Sequence, residues 1–121
     1  MSSEEVKGIL VELERWPWQR PVSPLAAAAA MRSVVRRGIT DSRQIVAVSC
    51  HVIVWWSAVY DLHEVPDAGG IPAAALRSAV QHAGQDVAQD ALESLLDVLG
   101  QPECVNYDLF IMACAFAQLL A

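Results

Sequence analysis

Ile45–Tyr60 reads IVAVSCHVIVWWSAVY, sixteen consecutive residues without a formal charge at neutral pH, seven of them β-branched. In a chain of 121 residues this run decides the architecture. It is a buried core segment, a membrane segment, or a surface that another chain covers. Strands usually run to about five or six residues, so sixteen predict a buried helix despite the β-branched content. A membrane-spanning helix needs about 20 predominantly apolar residues, with about 17 as the lower limit. The run falls short of that, contains His51 and two serines, and is followed at once by Asp61, His63 and Glu64. No membrane span is expected.

Start and stop signals on either side divide the chain into about six helices. Ser2 or Ser3, followed by Glu4 and Glu5, opens the first, because acids favour a helix N-terminus. It stops at about Trp16, before a rigid aromatic connector, Trp16-Pro-Trp-Gln-Arg-Pro21. Ser23-Pro24 opens the second, with Ser as N-cap and Pro at the first helical position. Arg36, Arg37 and Gly38 close it. Thr40 or Asp41 caps the third helix, which carries the apolar run to about Glu64. Pro66-Asp-Ala-Gly-Gly70 is a loop. Pro72 opens the fourth helix and Gly84 closes it. Asp86 caps the fifth, which ends at Gly100 and sets Ala88, Ala91, Leu92, Leu95 and Leu99 on one face. Asn106 caps the sixth, YDLFIMACAFAQLLA.

The third and sixth helices are apolar nearly all round, the mark of helices surrounded by others. The expected fold is therefore all-α, a bundle of five or six helices with buried central helices near 41–64 and 106–120, forming one domain over 1–121. An internal echo accompanies it: Ala28–Val35 reads AAAMRSVV and Ala73–Val80 reads AAALRSAV, and Asp41/Asp86 and Gln44/Gln89 keep the same offset. Segments 23–64 and 72–100 would then be two helical hairpins, though alanine-rich helices match one another readily.

Composition narrows the function. Charged residues make up 18% and hydrophobic ones 55%, with a mean hydropathy of +0.33. A small domain has much surface to coat, so this apolar excess implies burial between chains, in a homo-oligomer or an obligate hetero-complex. The net charge of −6 argues against a nucleic-acid partner, which calls for a basic footprint. Residues 1–43 carry +2 and residues 44–121 carry −8, an asymmetry that suggests an electrostatically addressed surface. Three cysteines without close spacing form neither a disulfide framework nor a zinc site, which points to a reducing cytoplasm. MSSEEVKG is not the start of a secretory signal. No cofactor or metal is expected.

Candidate chemistry is sparse. His51 lies among apolar neighbours and reads as a core histidine. Asp61, His63, Glu64 and Asp67 cluster beside the Gly-Gly loop, where oxygen and imidazole ligands could gather, but 61, 63 and 64 do not all share a helix face. Trp16 and Trp18 either staple the connector to the core or anchor an interface. Arg32, Arg36 and Arg37, with Arg43, form the basic cluster. Asp86, Asp90, Glu93 and Asp97 repeat at helical spacing as an acidic stripe, either a solvated face or a docking surface for a basic partner or for the protein's own arginine cluster. Phe110, Ile111 and Phe116 of the sixth helix are the expected oligomer contact.

Three readings follow. The first is a non-enzymatic interaction protein, such as a small acidic adaptor, inhibitor or immunity or antitoxin protein that occludes a partner. The second is a ligand-binding or regulatory bundle with a pocket formed by Trp55, Trp56, His51 and Tyr60. The third is an enzyme that uses the Asp61–Asp67 cluster.

Overall fold

A computed structural model describes residues 2–16, 18, 20–84, 88–100 and 103–120. Among them six α-helices run in order: α1 (Ser3–Arg15), α2 (Pro24–Arg36), α3 (Ser42–His63), α4 (Leu76–His82), α5 (Gln89–Val98) and α6 (Tyr107–Leu120). A two-stranded antiparallel sheet, β1 (Ile71–Pro72) with β2 (Cys104–Val105), joins the α3–α4 connector to the α5–α6 connector. The all-α bundle expected from the sequence is the fold observed.

Capping explains most of the helix starts. Ser2 Oγ accepts from the Glu5 N–H, and Ser23 Oγ from that of Ala26. The Asp41 carboxylate accepts from the N–H groups of Arg43 and Gln44, and Asn106 Oδ1 from that of Leu109. Each satisfies backbone donors that a helix start leaves orphaned. A tertiary cap is added where the Ser23 N–H donates to Asp108 on α6 at 3.0 Å, fixing the start of α2 against the start of α6.

Two starts differ from expectation. Pro72 does not open a helix; it pairs with Cys104 in the sheet, and the Ala73 N–H donates to the Glu103 carbonyl at 2.9 Å. That pairing holds the chain extended, so Ala73–Ala75 forms only a 3₁₀ turn and α4 begins at Leu76. AAALRSAV thus takes a different form from AAAMRSVV, which lies wholly in α2. The fifth helix begins at Gln89 with Ala88 in the cap position and no side-chain cap bond; Asp86, its expected cap, lies outside the described residues.

The core is built on α6, which packs against α2, α3 and α5, while α3 also packs against α1 and α2. Trp56, Phe110, Leu13, Ile45, Ile53, Ile71, Leu76 and Ile111 are its largest fully buried side chains. Ala26, Ala27, Ala29 and Ala30 of α2 are buried too, and their small side chains let α2 lie close to its neighbours.

α3 departs from the expectation of a helix surrounded on all sides. The apolar run extends at both ends into a 22-residue helix, which by length and composition alone is long and apolar enough to cross a membrane. One side packs into the core through Ile45, Ser49, Cys50, Val52, Ile53, Trp56, Val59 and Tyr60. The other side is open. His51, expected in the core, is exposed. Periodicity cannot say how many helices are at hand to cover an apolar surface, and the seven-residue α4 is too short to complete the sheath.

Candidate protein-docking face

Ala47, His51, Val54, Trp55, Ala58 and Leu62 are all exposed, and their spacing gathers them within about a 100° arc of α3. Val54 is 56% exposed, Trp55 48% and Leu62 72%. An apolar arc of that width is what a helix normally turns towards a core. α3 therefore carries two such arcs, one spent inside the bundle and one facing outward. The outer arc extends about 22 Å along the helix, from Ala47 to Leu62.

Two clefts border this face on the α1 side. One, of about 550 Å³, is lined by Gly8, Ile9, Glu12, Trp16, Val46 and Ala47 among others. The second, of about 340 Å³, lies between Trp16, Trp18, Arg20, Val54, Ala58 and Tyr107. Trp16 lines both clefts and is 44% exposed. Trp18 is half-buried and donates its indole N–H to the Leu13 carbonyl at 2.8 Å, which staples the connector to α1. The two tryptophans thus divide the alternatives: Trp18 anchors the chain, and Trp16 borders the open face.

On the α4 side the face is tied down at Trp55 and His63. The Trp55 indole N–H donates to the Ala83 carbonyl at 3.3 Å, and its ring meets His82 edge-on. The imidazoles of His82 and His63 share a hydrogen bond of 3.0 Å between Nδ1 and Nε2. Trp55 is thereby held in one orientation while its outer surface stays open, and a rigid, part-exposed aromatic is a good anchor for a partner.

Arg20 organises the lower end. Its guanidinium lies 3.3 Å from Asp61 and 3.5 Å from Glu64, and stacks over the rings of Tyr60 and Tyr107 at 5.1 and 5.0 Å. Ser57 Oγ donates to the Ile53 carbonyl at 2.7 Å, which leaves the Tyr107 hydroxyl to donate to Ser57. Burial pushes both phenols above their ordinary value, and the charge of Glu64 adds to this at Tyr60. These phenols hold their protons, and the Ser57 proton is committed to a carbonyl, so the arrangement ties α3, α6 and the connector together. Sequence reading passed over Arg20, Tyr107 and Leu62, because a lone arginine in a connector and a lone leucine beside acids carry no periodic signal.

The Asp61–Asp67 cluster is not brought together. Asp61 and Glu64 face Arg20, His63 faces His82, and Asp67 is exposed on a 3₁₀ turn. Among the described residues no three His, Cys, Asp or Glu side chains converge on a metal-sized site. The pocket expected from Trp55, Trp56, His51 and Tyr60 does not form either. Trp56 is buried in the core and Tyr60 lies under Arg20, while Trp55 and His51 face outward. Neighbouring helical residues point about 100° apart, which divides Trp55 from Trp56.

Phe110 and Ile111 are 0% exposed within the single chain and are not available as an oligomer contact. The physical reason is the central place of α6, which its own bundle covers. Phe116 is half-buried and borders an apolar cleft of about 250 Å³ with Leu95, Val98 and Leu119. Asp90, Glu93 and Asp97 are exposed along α5, and Asp86 lies outside the described residues. Arg32, Arg36 and Arg37 are exposed along the C-terminal half of α2 and its cap. No family model, curated protein or solved structure matches this chain.

Proposed function

We infer that this chain is a non-enzymatic protein–protein interaction module, which docks an apolar helical segment of a partner protein on the outer face of α3 and acts by occlusion or tethering. The observation that carries the reading is the continuous exposed stripe Ala47–His51–Val54–Trp55–Ala58–Leu62 on a helix whose opposite face is already in the core. A contiguous apolar patch of this kind marks an interaction site, and anchors one helical turn apart suit a partner helix. The clefts beside Trp16 offer places for the partner's side chains, and Trp55 supplies an aromatic anchor near the middle. The exposed acids of α5 favour encounter with a basic protein surface, that of a foreign partner or the Arg32–Arg36–Arg37 cluster of another copy, through association rate more than affinity.

The experiment places a photo-crosslinking amino acid at Val54, and as a control at the exposed Leu25 of α2, in the native host. The expected result is a discrete protein adduct from position 54 and none from position 25. Absence of any adduct from position 54, with the protein expressed and folded, would end the reading.

A further inference from the structure

We propose that the partner on the outer face of α3 is a second copy of this chain, packed antiparallel across a two-fold axis that passes between Val54 and Trp55. The inference rests on the docking reading above and names its occupant.

A closed pair of identical chains uses the same patch on both copies, so the patch has to complement itself. A two-fold axis at this point pairs each residue with the one equally far along the helix on the other side. Ala47 then faces Leu62, His51 faces Ala58, and Val54 faces Trp55. At every layer a larger side chain meets a smaller one, the condition for interdigitated packing. A parallel in-register pairing would set Trp55 on Trp55 and Leu62 on Leu62, and leave the alanines facing gaps.

Other features agree with the antiparallel arrangement. The spacing 47, 51, 54, 58 alternates four and three, the pattern that keeps two helices in contact along their length at a crossing angle of about 20°. Ala47 lines the 550 Å³ cleft with Gly8, Ile9 and Val46, so the Leu62 that faces it enters an apolar recess. Leu62 is 72% exposed, against 56% for Val54 and 48% for Trp55. The exposed Arg43 at one end of α3 comes beside the turn of the other copy that carries the exposed Asp67, and the helix dipoles oppose each other. A net charge of −6 is ill suited to a membrane surface with anionic lipids.

Sedimentation equilibrium tests the arrangement on the full chain, as wild type, Ala47→Leu, Leu62→Ala and the double variant. The wild type is expected to dimerise reversibly at tens of micromolar or below. Each single change weakens the dimer by about tenfold or more, because the two-fold axis applies it twice. The double change exchanges large for small at a facing pair and recovers most of the loss. Both positions are exposed in the monomer, so urea midpoints at high dilution should stay near wild type and show that the variants fold. A wild type that remains monomeric at every attainable concentration overturns the proposal. So does a double variant that dimerises no better than the weaker single one. The photo-crosslink at Val54 separates the two readings. An adduct with a different protein removes the second copy and leaves the docking reading standing, whereas no adduct removes both. Co-flotation of the monomer with phosphatidylcholine vesicles would assign the face to a membrane and also overturn the proposal.

Discussion

Gly70→Ala tests whether the small sheet fixes the bundle. Gly70 is buried, and a methyl group added to it would lie 2.4 Å from the Val105 carbonyl oxygen and 2.9 Å from the carbonyl carbon. An ordinary carbon–oxygen contact is about 3.3 Å or longer, so the two connectors would have to part by about 1 Å. Both obstacles are backbone, and no side-chain rotation relieves them. Parting the connectors costs the Ala73–Glu103 hydrogen bond, about 1 kcal/mol. It also disturbs the buried pair Ile71 and Val105, for about 1–3 kcal/mol more. The smaller entropy of unfolded alanine returns about 0.4–1 kcal/mol. The net expectation is a loss of about 1–3 kcal/mol, a large part of the stability of a domain this size. Gly8→Ala is the control: Gly8 lies inside α1 with open space around its Cα, and alanine there should gain about 0.5–1 kcal/mol. Urea unfolding followed by tryptophan fluorescence, at a concentration too low for self-association, reads both. A Gly70→Ala midpoint equal to wild type, or shifts of the same sign for both variants, would refute the reasoning.

Other outcomes follow from single contacts. Asp108→Ala removes the acceptor for the Ser23 N–H and should cost about 1–2 kcal/mol, with Asp108→Asn losing less; equal urea midpoints for all three proteins would contradict this. Ser49 Oγ is buried without a hydrogen-bond partner among the described residues, so Ser49→Ala should raise the thermal midpoint, by about 1 kcal/mol of stability, and a lower midpoint would count against it. Burial pushes the Cys50 thiol from its ordinary 9.0 up to about 11, and that of Cys114 upward too. The folded state holds these protons more tightly, so their contribution is complete below pH 9.0 and is lost as pH rises towards about 11. Urea midpoints that stay flat or rise across that window would disprove it. Changing Asp90→Asn, Glu93→Gln and Asp97→Asn together should slow association with a basic partner and flatten its salt dependence, read by stopped-flow mixing; unchanged rates would leave α5 a solvated face.

The sequence by itself determined the helices and most of their ends. Ser2, Ser23, Asp41 and Asn106 each sit beside donors that only a helix start exposes, and capping is local chemistry that needs no tertiary context. The central place of α6 in the bundle was legible too, since a helix apolar on nearly every side is best covered by other helices. The tertiary structure alone decided the rest. Pro72 became a strand residue because Cys104, far along the chain, offered it a ladder. The Asp61–Asp67 cluster dispersed because Arg20 and His82, both remote in sequence, attracted its members in different directions. The candidate face moved from α6 to α3 for a geometric reason. Both helices are apolar nearly all round, and sequence cannot rank them; which one keeps an open side depends on how many helices reach it. α2, α3 and α5 pack around α6, whereas α1, α2 and α6 cover one side of α3 and the short α4 leaves Ala47, Val54, Trp55 and Leu62 facing outward.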